Sequence, residues 1–182
     1  MIKTICWENE RVMLLDQTRL PLEQVYLACE DYREVAGAIK RMVVRGAPAI
    51  GVAAAMGIAL GATQITAGRY QDFRQQFENI CREFAETRPT AVNLFWAIER
   101  MKRLVNAHSD SSVEALQMLL KEEAVKMGEE DIRINRQIGE MGNDLHTMKK
   151  AREESTLFIM QAFLAPGARV LHEDLYYLTA KT

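Results

Sequence analysis

The feature that most constrains this chain is a run without a single charged residue, from Gly46 through Gly68, bounded by Arg45 and Arg69. Such a run must be hidden from water, either in a lipid bilayer or at the centre of a packed core. Gly57 and Gly61 form a G-x-x-x-G pattern within it, a spacing used by packed transmembrane helices. The run is mostly Ala and Gly, however, and includes Pro48, Thr63, Gln64 and Thr66. Its transfer into lipid is therefore weakly favourable at best. Small residues equally let helices approach closely in a protein interior. The expectation is a buried helix, opened by Pro48 and closed by Gly68.

A buried helix needs a shell around it, and composition shows that the chain can supply one. With 48% hydrophobic and 26% charged residues in 182, it is not a disordered composition. The length suits one domain, or a small domain with part of a second. The 23 Lys+Arg against 25 Asp+Glu leave a charge of -2, with no basic excess to condense on nucleic acid. Cys6, Cys29 and Cys81 fit no C-x-x-C spacing and read as thiols of a reducing, cytoplasmic setting. The first residues reach Glu8 without a long apolar run, so no secretory leader is expected.

The hydrophobic period changes along the chain. Lys3 to Glu8 and Arg11 to Leu15 are β-compatible runs around a turn at Asn9-Glu10, and Val25-Tyr26-Leu27 is a third apolar run. Tyr32, Val35, Ala36, Ile39, Met42 and Val43 then fall on one side of a helix that starts near Asp31. Tyr70 to Glu86 is amphipathic, with Phe73, Phe77, Ile80 and Phe84 as its stripe. Pro89 is expected to open a further helix with apolar positions Val92, Phe95, Trp96, Ile98 and Met101. After a loop at His108–Ser112, a long helix should run from Val113 toward Gly139 or Gly142, with Gly128 and Glu129-Glu130-Asp131 as places where it could kink. Met148 to Leu164 reads as another helix, Pro166-Gly167 as a turn and Ala168–Leu171 as the start of a strand.

Chemistry concentrates where two helices begin. In Arg45-Gly46-Ala47-Pro48, proline suits the first helical turn because its missing N–H would be unpaired there anyway. The residues before it lie beside free backbone N–H groups and the positive end of the helix dipole, a location that suits phosphate. Gly46 lets the backbone approach a ligand, and Arg45 can offer a two-pronged contact to phosphate oxygens. The plain alternative is a tight junction with a solvated arginine. Thr87-Arg88-Pro89-Thr90 repeats the arrangement, and the residue before proline is pushed from the α region, so Arg88 should project from its loop. Whether the two arginines meet is left open by the residues alone.

Four segments together resemble a known family: Leu15–Pro21, Arg45–Gly51, Arg88–Leu94 and Glu130–Gly139. They are similar to the S-methyl-5-thioribose-1-phosphate isomerases, a family shared with ribose-1,5-bisphosphate isomerases and the regulatory subunits of a translation-initiation exchange factor. The match covers about residues 1 to 142. The resemblance implies an aldose-to-ketose isomerase of methionine salvage that uses no metal or other cofactor. It also implies that Arg45, Gly46, Ala47 and Arg88 bind the substrate. Asn93, Trp96, Asp131 and Asn135 fall in family-like segments, where capping and packing explain them equally well.

The departure begins after Gly142. Asn143 to Leu164 replaces what is a short link in the family, and the family's catalytic cysteine and aspartate have no counterpart here. His172, Glu173 and Asp174 are chemically eligible as bases, but neighbours in a strand face alternately and cannot all reach one substrate. His108 and His146 suggest no metal site, and Glu30 and Asp31 should raise the pKa of Cys29. The expected fold class is α+β: a small antiparallel sheet on a mainly helical domain, 1–142, then a divergent helical segment, 143–182, with an incomplete start of a Rossmann-like domain. The expected ligand is a small sugar phosphate, with no nucleic acid and no membrane as partners and a homo-oligomer left open. Three functions follow from this: an isomerase-like protein holding the phosphate half of its site, a regulatory module of the same family, or an inactive truncated product.

Overall fold

Asn9 and Glu10 both have positive φ, 48° and 58°. That makes the link between Ile5–Glu8 (β1) and Arg11–Leu15 (β2) a two-residue primed turn, whose twist matches that of the strands it joins. Tyr26–Cys29 (β3) pairs antiparallel with the other edge of β2, placing Val12 opposite Cys29 and Leu15 opposite Tyr26. Alternation sends Val12 and Leu14 into the core. This computed structural model describes residues 3–150, with side chains through 142. The expected features from 151 onward, including the strand start at Ala168–Leu171, lie outside the described residues.

Helix α1, Tyr32–Lys40, opens with a complete capping box: Asp31 accepts from the Arg33 and N3 backbone N–H groups, and Glu34 reaches back to the Asp31 N–H. It buries Tyr32, Val35, Ala38 and Ile39. Met42 does not continue that stripe, contrary to the sequence expectation. Met42 N–H donates to Ile39 O at 3.1 Å and Val43 N–H to Ala38 O at 2.9 Å, the paired bonds of a Schellman ending. Met42 occupies the left-handed position, φ 60°, usually taken by glycine, and its side chain stays exposed.

The uncharged run becomes α2, Ala47–Thr63, buried continuously from Ala49 through Ala62. Its glycines answer to close neighbours: a methyl group at Gly57 would run into Phe84 and into Val35 Cγ1, and one at Gly61 would lie 3.0 Å from Ile80 Cδ1 and Tyr32. The small residues therefore serve helix packing, and among the described residues no helix is long and apolar enough to cross a membrane. Gly68 does not close α2, which ends at Thr63 with Gln64 as its C-cap; the chain then turns through Ile65–Arg69. Gln117 Nε2 donates to Ala62 O and Ile65 O, satisfying carbonyls that the helix end leaves over.

Helix α3, Tyr70–Thr87, buries the expected stripe of Phe73, Phe77, Ile80 and Phe84, together with Cys81. Helix α4 spans Val92–Ala107, so Pro89 lies in the preceding turn and not in its first helical turn. Its buried face is Leu94, Ala97, Ile98, Met101 and Val105, an i, i+3, i+4, i+7 pattern. Val92 (78% exposed), Phe95 and Trp96 lie outside it, which corrects the expected register.

Helix α5 runs Val113–Lys150 without a break at Gly128, Gly139 or Gly142. An isolated glycine costs a helix only about 1 kcal/mol relative to alanine, too little to end one this long. Gly128 has a packing reason as well: Met56 Cε would lie 3.1 Å from a methyl group there. Arg100 on α4 binds Glu130 through both terminal nitrogens and Glu123 through Nε, which ties α4 to α5. Met1–Asp131 make up one compact unit and Ile132–Thr182 a second. In the described part of the second, Ile132, Ile134, Ile138 and Met141 are exposed on α5.

Candidate functional site

Helix directions decide where the two arginine segments lie. Gly57 faces Phe84 and Gly61 faces Ile80, so α2 and α3 run antiparallel. The short link 88–91 folds α4 back along α3, with Lys102 paired to Glu78 at 2.8 Å. Hence α2 and α4 run parallel and begin at the same end of the unit. They also touch there. A methyl group at Gly51 would lie 2.9 Å from the Asn93 carbonyl oxygen, and Asn93 is the second residue of α4. At 1.5 Å rise per residue, the two N-caps are offset along their axes by about 4.5 Å, less than one turn.

Gly46 is the N-cap of α2, with φ 91° and ψ 130°, a conformation that side chains rarely adopt. No side chain caps α2, and the first intrahelical bond runs from Ile50 N–H to Gly46 O. Ala47 is the first helical residue and is exposed; Pro48 follows it, as the sequence leads one to expect. Arg45 is exposed, and its Nε donates to Met42 O at 3.3 Å. The Schellman ending of α1 thus leads through two buried valines straight to the arginine. Gln17 N–H binds Val43 O at 3.0 Å, pinning this junction to the segment after β2.

Arg88 ends α3 outside the α region, with φ -147° and ψ 83°, in keeping with its place before proline. It is half-buried, and among the described residues its guanidinium makes no hydrogen bond or ion pair. Its carbonyl accepts from Ala91 N–H, closing the turn that starts α4. Ala91, the N-cap of α4, offers no side-chain cap either. Two helix starts, each with positive dipole ends and uncapped by side chains, therefore lie side by side, with Arg45 before one and Arg88 before the other. Such an arrangement suits a doubly charged anion.

The thiols are not candidates for nucleophilic chemistry. Burial, aided by Glu34, pushes Cys29 up to about 11, so the expected rise is real but Glu30 and Asp31 are not its cause. Burial pushes Cys81 up to about 12. His108 Nδ1 is engaged with Leu104 O at the end of α4. Among the described residues no cluster of three His, Cys, Asp or Glu side chains is poised for a metal. What sequence reasoning passed over is Gly51 against Asn93. Its only signal was one more glycine in an Ala/Gly-rich helix.

A family model described as the initiation factor 2 subunit family matches residues 43–157. The chain belongs to that family. It is 53% identical over 143 residues to a methylthioribose-1-phosphate isomerase of Geotalea uraniireducens, covering 79% of this chain and 41% of the relative. The corresponding protein of Geobacter sulfurreducens is 54% identical over 140 residues, covering 77% and 40%. Among solved structures, a 5-methylthioribose 1-phosphate isomerase from Pyrococcus horikoshii superposes with a TM-score of 0.76 at 40% identity, covering 79% of this chain and 40% of that one. The delta subunit of translation initiation factor eIF-2B from A. fulgidus gives 0.71 at 40% identity, covering 80% and 42%. The chain thus spans about two fifths of the length of the relatives it matches.

Proposed function

We propose that this chain holds the phosphate of an aldose 1-phosphate, methylthioribose 1-phosphate, as the phosphate-binding part of an isomerase of methionine salvage. The observation that carries the reading is the meeting of two parallel, uncapped helix starts at Gly51 and Asn93, each led by an arginine. The isomerase relatives at 53% and 54% identity support the substrate class. Arg45 and Arg88 supply charge-assisted hydrogen bonds, each worth about 1.5–3 kcal/mol, and the Gly46–Ala47 backbone supplies N–H donors. The phosphate itself does not react. Its binding energy holds the sugar in place for ring opening and transfer of hydrogen from C2 to C1. None of the described residues is assigned that transfer. It falls to groups in the part of the relatives' length that this chain does not span. Residues 1–142 form the isomerase-like domain in this reading and 143–182 a divergent segment, and the setting is cytoplasmic.

A second reading has one observation in its favour: the eIF-2B delta subunit matches at the same 40% identity as the isomerase structure. A regulatory module would use this fold to bind a partner protein, with the helix starts as scaffold.

Thermal unfolding with and without methylthioribose 1-phosphate separates the two. Ligand at a hundred times its dissociation constant adds about 2.7 kcal/mol of stability, several degrees for a chain of this size. The shift is expected in the native chain and absent in Arg45→Ala. No shift at millimolar ligand overturns the isomerase-type reading and favours the regulatory one.

A further inference from the structure

We propose that Gly51 is a positioning residue, whose missing side chain sets the spacing at which the Arg45 and Arg88 loops can grip one phosphate group. The inference rests on the phosphate-binding reading above and adds to it a residue that touches no ligand.

The argument is steric. A methyl group on Gly51 would lie 2.9 Å from Asn93 O and 3.5 Å from Asn93 C, and both atoms are backbone. Neither can rotate aside. Ordinary contact begins at 3.4 Å, so relief requires the start of α4 to move by about 0.5 Å, roughly the tolerance within which a binding constellation must be held. Gly61 makes a useful contrast. Its would-be contacts at 3.0 Å are Ile80 Cδ1 and ring atoms of Tyr32, which can shift within the core. It also lies about 15 Å further along α2 than Gly51.

Sequence position links the contact to both loops. Gly51 stands five residues after Gly46, and Asn93 five after Arg88. Moving the first turn of α4 moves the 88–91 turn with it, because Ala91 N–H is bonded to Arg88 O at 3.0 Å. The α2 side cannot yield in exchange: Gly46 is held in its φ 91° conformation, and Val43 is tied to both Ala38 and Gln17. Glycine is a poor helix former, and at Gly51 its missing side chain is what lets the start of α4 approach this closely.

The test compares Gly51→Ala with Gly61→Ala in the full 182-residue chain, titrating methylthioribose 1-phosphate by calorimetry and recording the melting temperature of each. Gly51→Ala is expected to weaken binding at least tenfold, while Gly61→Ala binds within threefold of the native chain. A Gly51→Ala chain that binds within threefold overturns the positioning role and leaves the phosphate reading intact. A native chain that fails to bind overturns the reading itself. Should Gly51→Ala not fold, a double-mutant cycle decides: Arg45→Ala and Arg88→Ala lose binding non-additively if they share one phosphate, and additive losses overturn the proposal.

Discussion

Helix α1 and the pair α2 and α4 begin in opposite ways. Asp31 and Glu34 close the start of α1 with a reciprocal set of hydrogen bonds made entirely within the chain. The starts of α2 and α4 carry Gly46 and Ala91 at the capping position, and neither receives a side-chain cap. Capping is worth about 1 kcal/mol per helix, and Ser, Thr, Asp and Asn are the usual choices. A missing cap is not by itself the mark of a site, because Arg69 at the start of α3 supplies none either. What sets α2 and α4 apart is that their uncapped starts are in contact, at Gly51 and Asn93.

The comparison can be broken in three ways. The largest effect is expected from Gly46→Ala, because φ 91° with ψ 130° strains any side chain by about 2 kcal/mol. Chemical denaturation should show that loss, and calorimetry should show binding of methylthioribose 1-phosphate lost with it; an unchanged midpoint would mean that the loop relaxes freely. Ala91→Asp closes one open start. It should raise the unfolding free energy by up to about 1 kcal/mol while weakening phosphate binding, since the new carboxylate competes for the same donors. Tighter binding would remove the α4 start from the site. The smallest effect is Asp31→Ala, which should cost about 1 kcal/mol of stability and leave ligand affinity unchanged. A change in affinity there would tie α1's cap to the site and erase the contrast.

Legibility followed the physics of each element. The uncharged run had to be buried, and the stripe Phe73, Phe77, Ile80, Phe84 had one face to bury, so α3 and the start of α2 are found where the pattern puts them, while α2 ends at Thr63, short of Gly68. The Asn9-Glu10 turn is local and was equally readable. The register of α4 was not. Val92, Phe95 and Trp96 are apolar and fit a helical period as well as Leu94 and Ala97 do, yet the covered face is Leu94, Ala97, Ile98, Met101 and Val105. Trp96 instead lies against the Arg100 guanidinium, 5.3 Å from its ring centroid, a contact that suits a half-exposed indole. Met42 escaped for a related reason. It fits the helical period of α1, but the Schellman bonds end the helix before the period reaches it.

The candidate site divides along the same line. The sequence by itself determined that Arg45-Gly46-Ala47-Pro48 leads into a buried helix and that Arg88 leaves the α region before Pro89, because proline and glycine act on the backbone locally. It also determined the family, since each of the four segments that carry the resemblance is an unbroken stretch of sequence. Only the tertiary structure decided that the two helices run parallel, start at the same end and touch at Gly51 and Asn93. That outcome depends on how α3 folds back between them and on which small residues let backbones meet. Those contacts join residues far apart in the chain, and no local pattern encodes their distance.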